Sequence, residues 1–146
     1  MFFSVFSCSD DVCNEETEST LNLVFIVNDT SLTNINFIDN LSIFSPEWTD
    51  SIHFLDENES GDTVLGFMLS PYSDTSEIII TSKNATEKDT LVILTQREQI
   101  FLSKECGFIT DFFIDTVLFT RNYIDSIEIN EDEITTAKNG EIQLYL

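Results

Sequence analysis

No stretch of this chain carries a helical apolar stripe over three turns. Its apolar residues instead come in short β-branched and aromatic runs, cut apart by Asn, Asp, Ser, Gly and Pro. The densest are Leu23-Val24-Phe25-Ile26-Val27, Ile78-Ile79-Ile80 and Leu91-Val92-Ile93-Leu94. Short runs bounded by turn formers are strand signals, and a run that is apolar at successive positions reads as a strand covered on both faces. Candidate strands cover 21–27, 36–44, 50–55, 63–70, 76–82, 90–95, 99–106, 110–120, 123–129 and 141–146. Their spacing of roughly 8–13 residues is that of antiparallel strands in a sandwich or barrel. The expected fold is all-β: an antiparallel β-sandwich, immunoglobulin-like or similar, of about 7–10 short strands, with some candidates being halves of one strand.

The punctuation between the runs agrees. Pro46 and Pro71 lie at segment edges, where a missing N–H does not interrupt a ladder. With 4 Gly in the chain, most turns must rely on Asn and Asp, which tolerate left-handed backbone better than other side chains. Asn139-Gly140 is a type I′ hairpin signal, which would pair the last strand with the one before it. Residues 134–138 could form a single helical turn just before it.

Composition enters through charge. The chain has 27 acidic against 6 basic residues, a net charge of −21. That field repels nucleic-acid phosphates, so no nucleic-acid partner is expected, while it favours solubility, basic partners or loosely held cations. The acids sit singly or in short clusters such as Asp56-Glu57-Asn58-Glu59 and Asn130-Glu131-Asp132-Glu133. Clusters between apolar runs read as solvated loops rather than a surface shaped to mimic DNA.

The N-terminus carries the clearest message about location. Met1-Phe2-Phe3-Ser4-Val5-Phe6-Ser7-Cys8 reads as the end of a secretion signal running into a lipid-modified cysteine, with Ser9-Asp10-Asp11 directly after it. The apolar piece is shorter than a signal core of about 7–15 residues and lacks a basic lead, so basic and then apolar residues are expected upstream of Met1. The organisation that follows is a signal remnant over 1–8, an acidic, disordered tether over 9–20 and one sandwich domain over 21–146. With Cys8 carrying lipid, Cys13 and Cys106 are the thiols left to pair, closing a loop of roughly ninety residues.

Chemistry has little to build on. The sole histidine, His53, removes most catalytic triads and zinc sites. A Cys106–His53 dyad competes with a disulfide at Cys106, which an oxidising compartment favours. Trp48 could stack on a sugar, but a lone aromatic is more often a core plug. The segment Asp56-Glu57-Asn58-Glu59-Ser60-Gly61-Asp62 resembles the first half of a calcium loop, yet Phe67 stands at the twelfth position where a bidentate Glu belongs. An acidic loop is the better reading. No catalytic residue, metal site or cofactor is expected. Sequons at Asn28, Asn58 and Asn84 have meaning only in a eukaryotic cell.

Two clusters carry a resemblance. Asp11, Cys13 and Glu15 give an Asp-x-Cys-x-Glu segment, and Ser103, Cys106, Gly107 and Phe108 give Ser-x-x-Cys-Gly-aromatic. With Cys8 upstream, the chain resembles a family of small uncharacterised lipoproteins of Bacteroidetes, chiefly flavobacteria. The resemblance extends to 21–27, 40–43, 50–52 and the closing strand 142–146. It implies a lipid anchor at Cys8, a disulfide, and an export signal at Ser9, Asp10 and Asp11 that sends lipoproteins to the outer face of the outer membrane. It implies no reaction.

The expectation is therefore a non-enzymatic, lipid-anchored module of the bacterial envelope, held to the outer membrane, surface display being open, with an envelope protein or glycan as partner. The alternative is a cytosolic acidic inhibitor or immunity protein that occupies the basic site of a nuclease or toxin, for which charge is the only warrant. Free thiols and an unlipidated chain would mark the alternative. An eight-stranded outer-membrane barrel fits poorly, because membrane strands need about 9–11 alternating residues.

Overall fold

The computed structural model describes residues 12–28, 40–46, 56–57, 63–83 and 85–146. Within them ten strands run in order: β1 (Thr20–Ile26), β2 (Leu41–Phe44), β3 (Asp56–Glu57), β4 (Thr63–Met68), β5 (Thr75–Ser82), β6 (Asp89–Ser103), β7 (Gly107–Phe119), β8 (Ser126–Glu131), β9 (Glu133–Ile134) and β10 (Gly140–Tyr145). They form two five-stranded sheets, ordered β3-β4-β1-β10-β8 and β2-β5-β6-β7-β9. The protein is an all-β sandwich, and no α-helix occurs among the described residues.

Period-2 alternation places the core between the sheets. One sheet contributes Leu21, Leu23, Phe25, Leu65, Phe67, Ile142 and Leu144, and the other Leu41, Ile43, Ile78, Ile80, Leu91, Ile93, Phe112, Ile114 and Ile134. Ile78, Ile79 and Ile80 are all buried, as the continuous run predicts. In β6, by contrast, Leu91 and Ile93 are buried while Val92 and Leu94 are only half covered, so that run has one core face.

β1 pairs antiparallel with β4 and parallel with β10, Leu21 standing opposite Gly140 and Ile26 opposite Tyr145. The remaining described ladders are antiparallel. The candidate strands 90–95 and 99–106 merge into β6, which with β7 makes a long hairpin. Its base, 89–94, is flanked by β5, and its far half, 96–103 with 107–111, projects past that partner. Two irregularities bend it, an extra residue at Asp115 opposite the Leu94/Thr95 step and another at Leu102 near the turn.

Two local expectations are corrected. Asn139-Gly140 makes no hairpin between the last two strands, because β9 pairs with β7 in one sheet and β10 with β1 and β8 in the other. A type I′ turn needs positive φ at both central residues, and Gly107 is the described glycine with that geometry. Gly140 is small for a packing reason: a Cβ there would collide with Cγ1 of Ile134 and press on Leu21. Residues 135–137 are bends rather than a helical turn; the Thr135 hydroxyl accepts from the amides of Ala137 and Lys138.

Candidate functional site

The turn joining β6 to β7 is Lys104-Glu105-Cys106, followed by Gly107 at φ +71°. Only a residue that tolerates left-handed backbone closes a three-residue hairpin of this kind, which explains the glycine. The Cys106 amide donates to Ser103 Oγ at 3.0 Å, tightening the turn. Ser103, Cys106 and Gly107 of the Ser-x-x-Cys-Gly segment thus make one structural unit.

Cys106 is joined to Cys13, with Cα atoms 4.8 Å apart and a sequence separation of 93. Residues 12–19 have no regular secondary structure and are mostly exposed, yet they are held at both ends. Cys13 is bonded at the hairpin tip, and the buried Ser19 donates its hydroxyl to the Thr110 carbonyl at 3.3 Å. The acidic tether is thereby laid along β7 before the chain enters β1.

The tip gathers exposed apolar side chains, while others, Met68, Tyr72 and Leu118, stand exposed elsewhere on the surface. Phe101 and Phe108 stand opposite each other in the ladder, rings 5.2 Å apart in an edge-to-face contact, yet they are 55% and 68% exposed. Val12, next to Cys13, is also exposed. From residue 99 to 110 the charges are Lys104 and Glu105, which cancel.

Below the tip, polar side chains are tied to one another. Arg97 on β6 donates to the Asp74 carboxylate and to the Pro71 carbonyl, clamping the β4–β5 turn beside an open groove of about 620 Å³. On the other face Glu98 stands opposite Asp111. Asp111 Oδ1 is buried with no hydrogen-bond partner among the described residues. Desolvation first, then the charges of Glu98 and Glu133, push the Asp111 carboxyl above the usual carboxylate range. Lys138 bridges Glu133 at 2.9 Å and Glu131 at 3.7 Å.

At the other end of the hairpin, the buried Asp89 carboxylate organises the β7–β8 connection. It accepts from Thr120 Oγ1 at 2.6 Å and from the amides of Asn122, Tyr123 and Ile124 at 2.8, 2.6 and 2.9 Å. The Tyr123 hydroxyl in turn accepts from the amides of Thr86 and Glu87. This is a structural clamp that binds the two loops at that pole.

The chain belongs to the DUF6452 family, a family of unknown function. The match covers residues 40–146, which contain β2 through β10 and Cys106, while β1 and Cys13 precede it. No curated protein and no solved structure matches the chain.

Of the residues singled out from sequence, Cys13 and Cys106 are brought together, while Cys8, Ser9, Asp10, Asp11, Trp48 and His53 lie outside the described residues. Bonded to Cys13, Cys106 is not a free nucleophile. Asp56 and Glu57 form the short edge strand β3, and the rest of the calcium-like segment lies outside the described residues. No group of three or more His, Cys, Asp or Glu among the described residues is arranged to hold a metal ion. Sequence reasoning missed two features. The Phe101/Phe108 pair had a signal, aromatics placed either side of a Ser-Lys-Glu-Cys-Gly turn. Asp89 had none, since its partners lie 31–35 positions away.

Proposed function

We propose that the protein is a lipid-anchored envelope lipoprotein of the Bacteroidetes type, acylated at Cys8, directed by Ser9-Asp10-Asp11 and acting as a non-catalytic binding or assembly module. The observation that carries the reading is the Cys13–Cys106 bond. Disulfides of this kind persist in oxidising compartments such as the periplasm and the cell surface, whereas cytosolic thiols are kept reduced. The bond pairs Cys13 with Cys106, and the third cysteine, Cys8, stands directly before the short acidic export-like segment. A single histidine and an engaged Cys106 support the non-catalytic part. The alternative cytosolic inhibitor requires free thiols, which this pairing disfavours.

Intact mass of the protein from its native membrane fraction, expressed from its own locus beside a Cys8→Ala control, tests the reading. A mature N-terminus at Cys8 with diacylglyceryl and acyl mass is expected. An unmodified soluble chain beginning at Met1 overturns it and returns attention to the −21 charge and a basic macromolecular target.

A further inference from the structure

We infer that the β6–β7 tip, through Phe101 and Phe108, is seated in the interface of the bilayer that holds the anchor, so that the sandwich stands on this hairpin. The inference rests on lipidation of Cys8. Five residue steps separate Cys8 from Cys13, at most about 18 Å of extended chain. Cys13 is bonded to the tip itself, its Cα 4.8 Å from that of Cys106. A lipid at Cys8 therefore keeps this end of the molecule at the membrane surface, whatever path the intervening residues take.

The end so held is the one suited to the place. Its two phenyl rings are opposed across the ladder and more than half exposed, an arrangement that leaves apolar area in water unless something covers it. Aromatic and aliphatic side chains of interfacial segments bury themselves at the boundary between headgroups and acyl chains. Residues 99–110 carry no net charge in a chain of net charge −21, so the hairpin tip itself adds no repulsion at an anionic surface, the nearby charges being Asp10 and Asp11 between the anchor and Cys13. The tether's Glu15, Glu16 and Glu18 lie between Cys13 and Ser19, on the stretch that leads back from the tip. Because acyl chains already hold the protein on the membrane, the rings contribute orientation rather than attachment. The orientation presents the opposite pole, with Leu118 roughly 33 Å from Phe108 along β7, to partners.

The test uses the full-length lipidated protein in vesicles of zwitterionic phosphatidylcholine with brominated acyl chains, with Trp48→Phe as background. Single tryptophans are introduced as Phe101→Trp, Phe108→Trp or Leu118→Trp, all at exposed positions that tolerate a larger ring. Bromolipid is expected to quench most of the emission at 101 and 108 and leave 118 unchanged. A Cys13→Ala, Cys106→Ala double variant carrying Trp at 101 is expected to lose much of that quenching while keeping its lipid. Lipid mass at Cys8 with no more bromolipid quenching at 101 and 108 than at 118 overturns the tip contact alone. Absence of lipid mass overturns the anchor and the seating with it. Unquenched tryptophans together with self-association that Phe101→Ser abolishes would assign the pair to a second copy of the chain and overturn the membrane contact.

Discussion

Replacing Asp89 by Asn keeps the volume and shape of the side chain and changes only what its two terminal atoms offer. In the native protein both carboxylate oxygens are acceptors, Oδ1 for Thr120 Oγ1 and the Asn122 amide, Oδ2 for the amides of Tyr123 and Ile124. Asn supplies one acceptor: with it kept on the Tyr123 and Ile124 amides, the NH2 group faces the Asn122 amide and Thr120 Oγ1, whose hydroxyl can turn to accept. Asp89 is 1% exposed and Ile124 equally buried, so water cannot take over at the Ile124 amide, whereas the bonds to Thr120, Asn122 and Tyr123 are only partly buried. Hydrogen bonds to a charged group contribute about 1.5–3 kcal/mol each, and an amide left buried without a partner costs about 1–3 kcal/mol. Counting the lost bond to the Asn122 amide and the weakening of the Tyr123 and Ile124 bonds from charged to neutral, Asp89→Asn should cost about 2–4 kcal/mol. That is a large share of the roughly 5–15 kcal/mol by which a domain is stable. Urea unfolding should show the midpoint falling with the slope unchanged. Asp89→Ala should be at least as damaging. An Asp89→Asn protein within about 1 kcal/mol of the parent would refute the reasoning, since it would mean these donors find other acceptors.

Loss of the bridge through Cys13→Ala or Cys106→Ala should lower the melting temperature; the chain-entropy model gives about 4–5 kcal/mol for a separation of 93, an upper bound because the freed tether regains disorder in the folded state. Non-reducing peptide mapping should recover the two cysteine peptides linked, and unlinked peptides would remove the bridge from the account. Gly140→Ala places a methyl group against Ile134 and Leu21 and should destabilise by about 1–3 kcal/mol in thermal unfolding, where an unchanged midpoint would contradict the packing explanation. Asp111→Asn should stabilise the protein at neutral pH by about 0.5 kcal/mol, by removing one of two like charges that stand opposite across the ladder. The folded protein holds the Asp111 proton more tightly than the unfolded chain does, so protonation favours folding. The gain of the variant should therefore be present above the raised folded pKa and vanish as pH falls below the ordinary Asp value, and a gain that grows with acidity would reverse the assignment.

Much of the sandwich was legible because alternation and turn chemistry are local. Leu21, Leu23 and Phe25 declare their common face by period alone, and the Ile78-Ile79-Ile80 run declares burial on both faces without reference to any partner. The Cys13–Cys106 pairing was legible from cysteine arithmetic once Cys8 was set aside, since two thiols allow one connectivity. The errors fell where a local signal competes with a distant one. Asn139-Gly140 has the composition of a hairpin turn, but β9 and β10 belong to different sheets, and Gly140 answers to Ile134 and Leu21 rather than to a turn. Residues 90–95 and 99–106 look like two strands because Gln96, Arg97 and Glu98 interrupt the apolar run, yet the interruption marks where β6 runs past its partner β5.

By itself, then, the sequence determined the fold class, the approximate strands and the pair of cysteines, all of which follow from residue type at short range. Only the tertiary structure decided that the first and last strands lie side by side in parallel, that Asp89 closes a loop more than thirty residues away, and that two phenylalanines end up opposed and exposed beside a bonded tether. Those outcomes depend on strand order and register between segments distant in the chain, which the cooperative packing of two whole sheets sets and no short window of residues encodes.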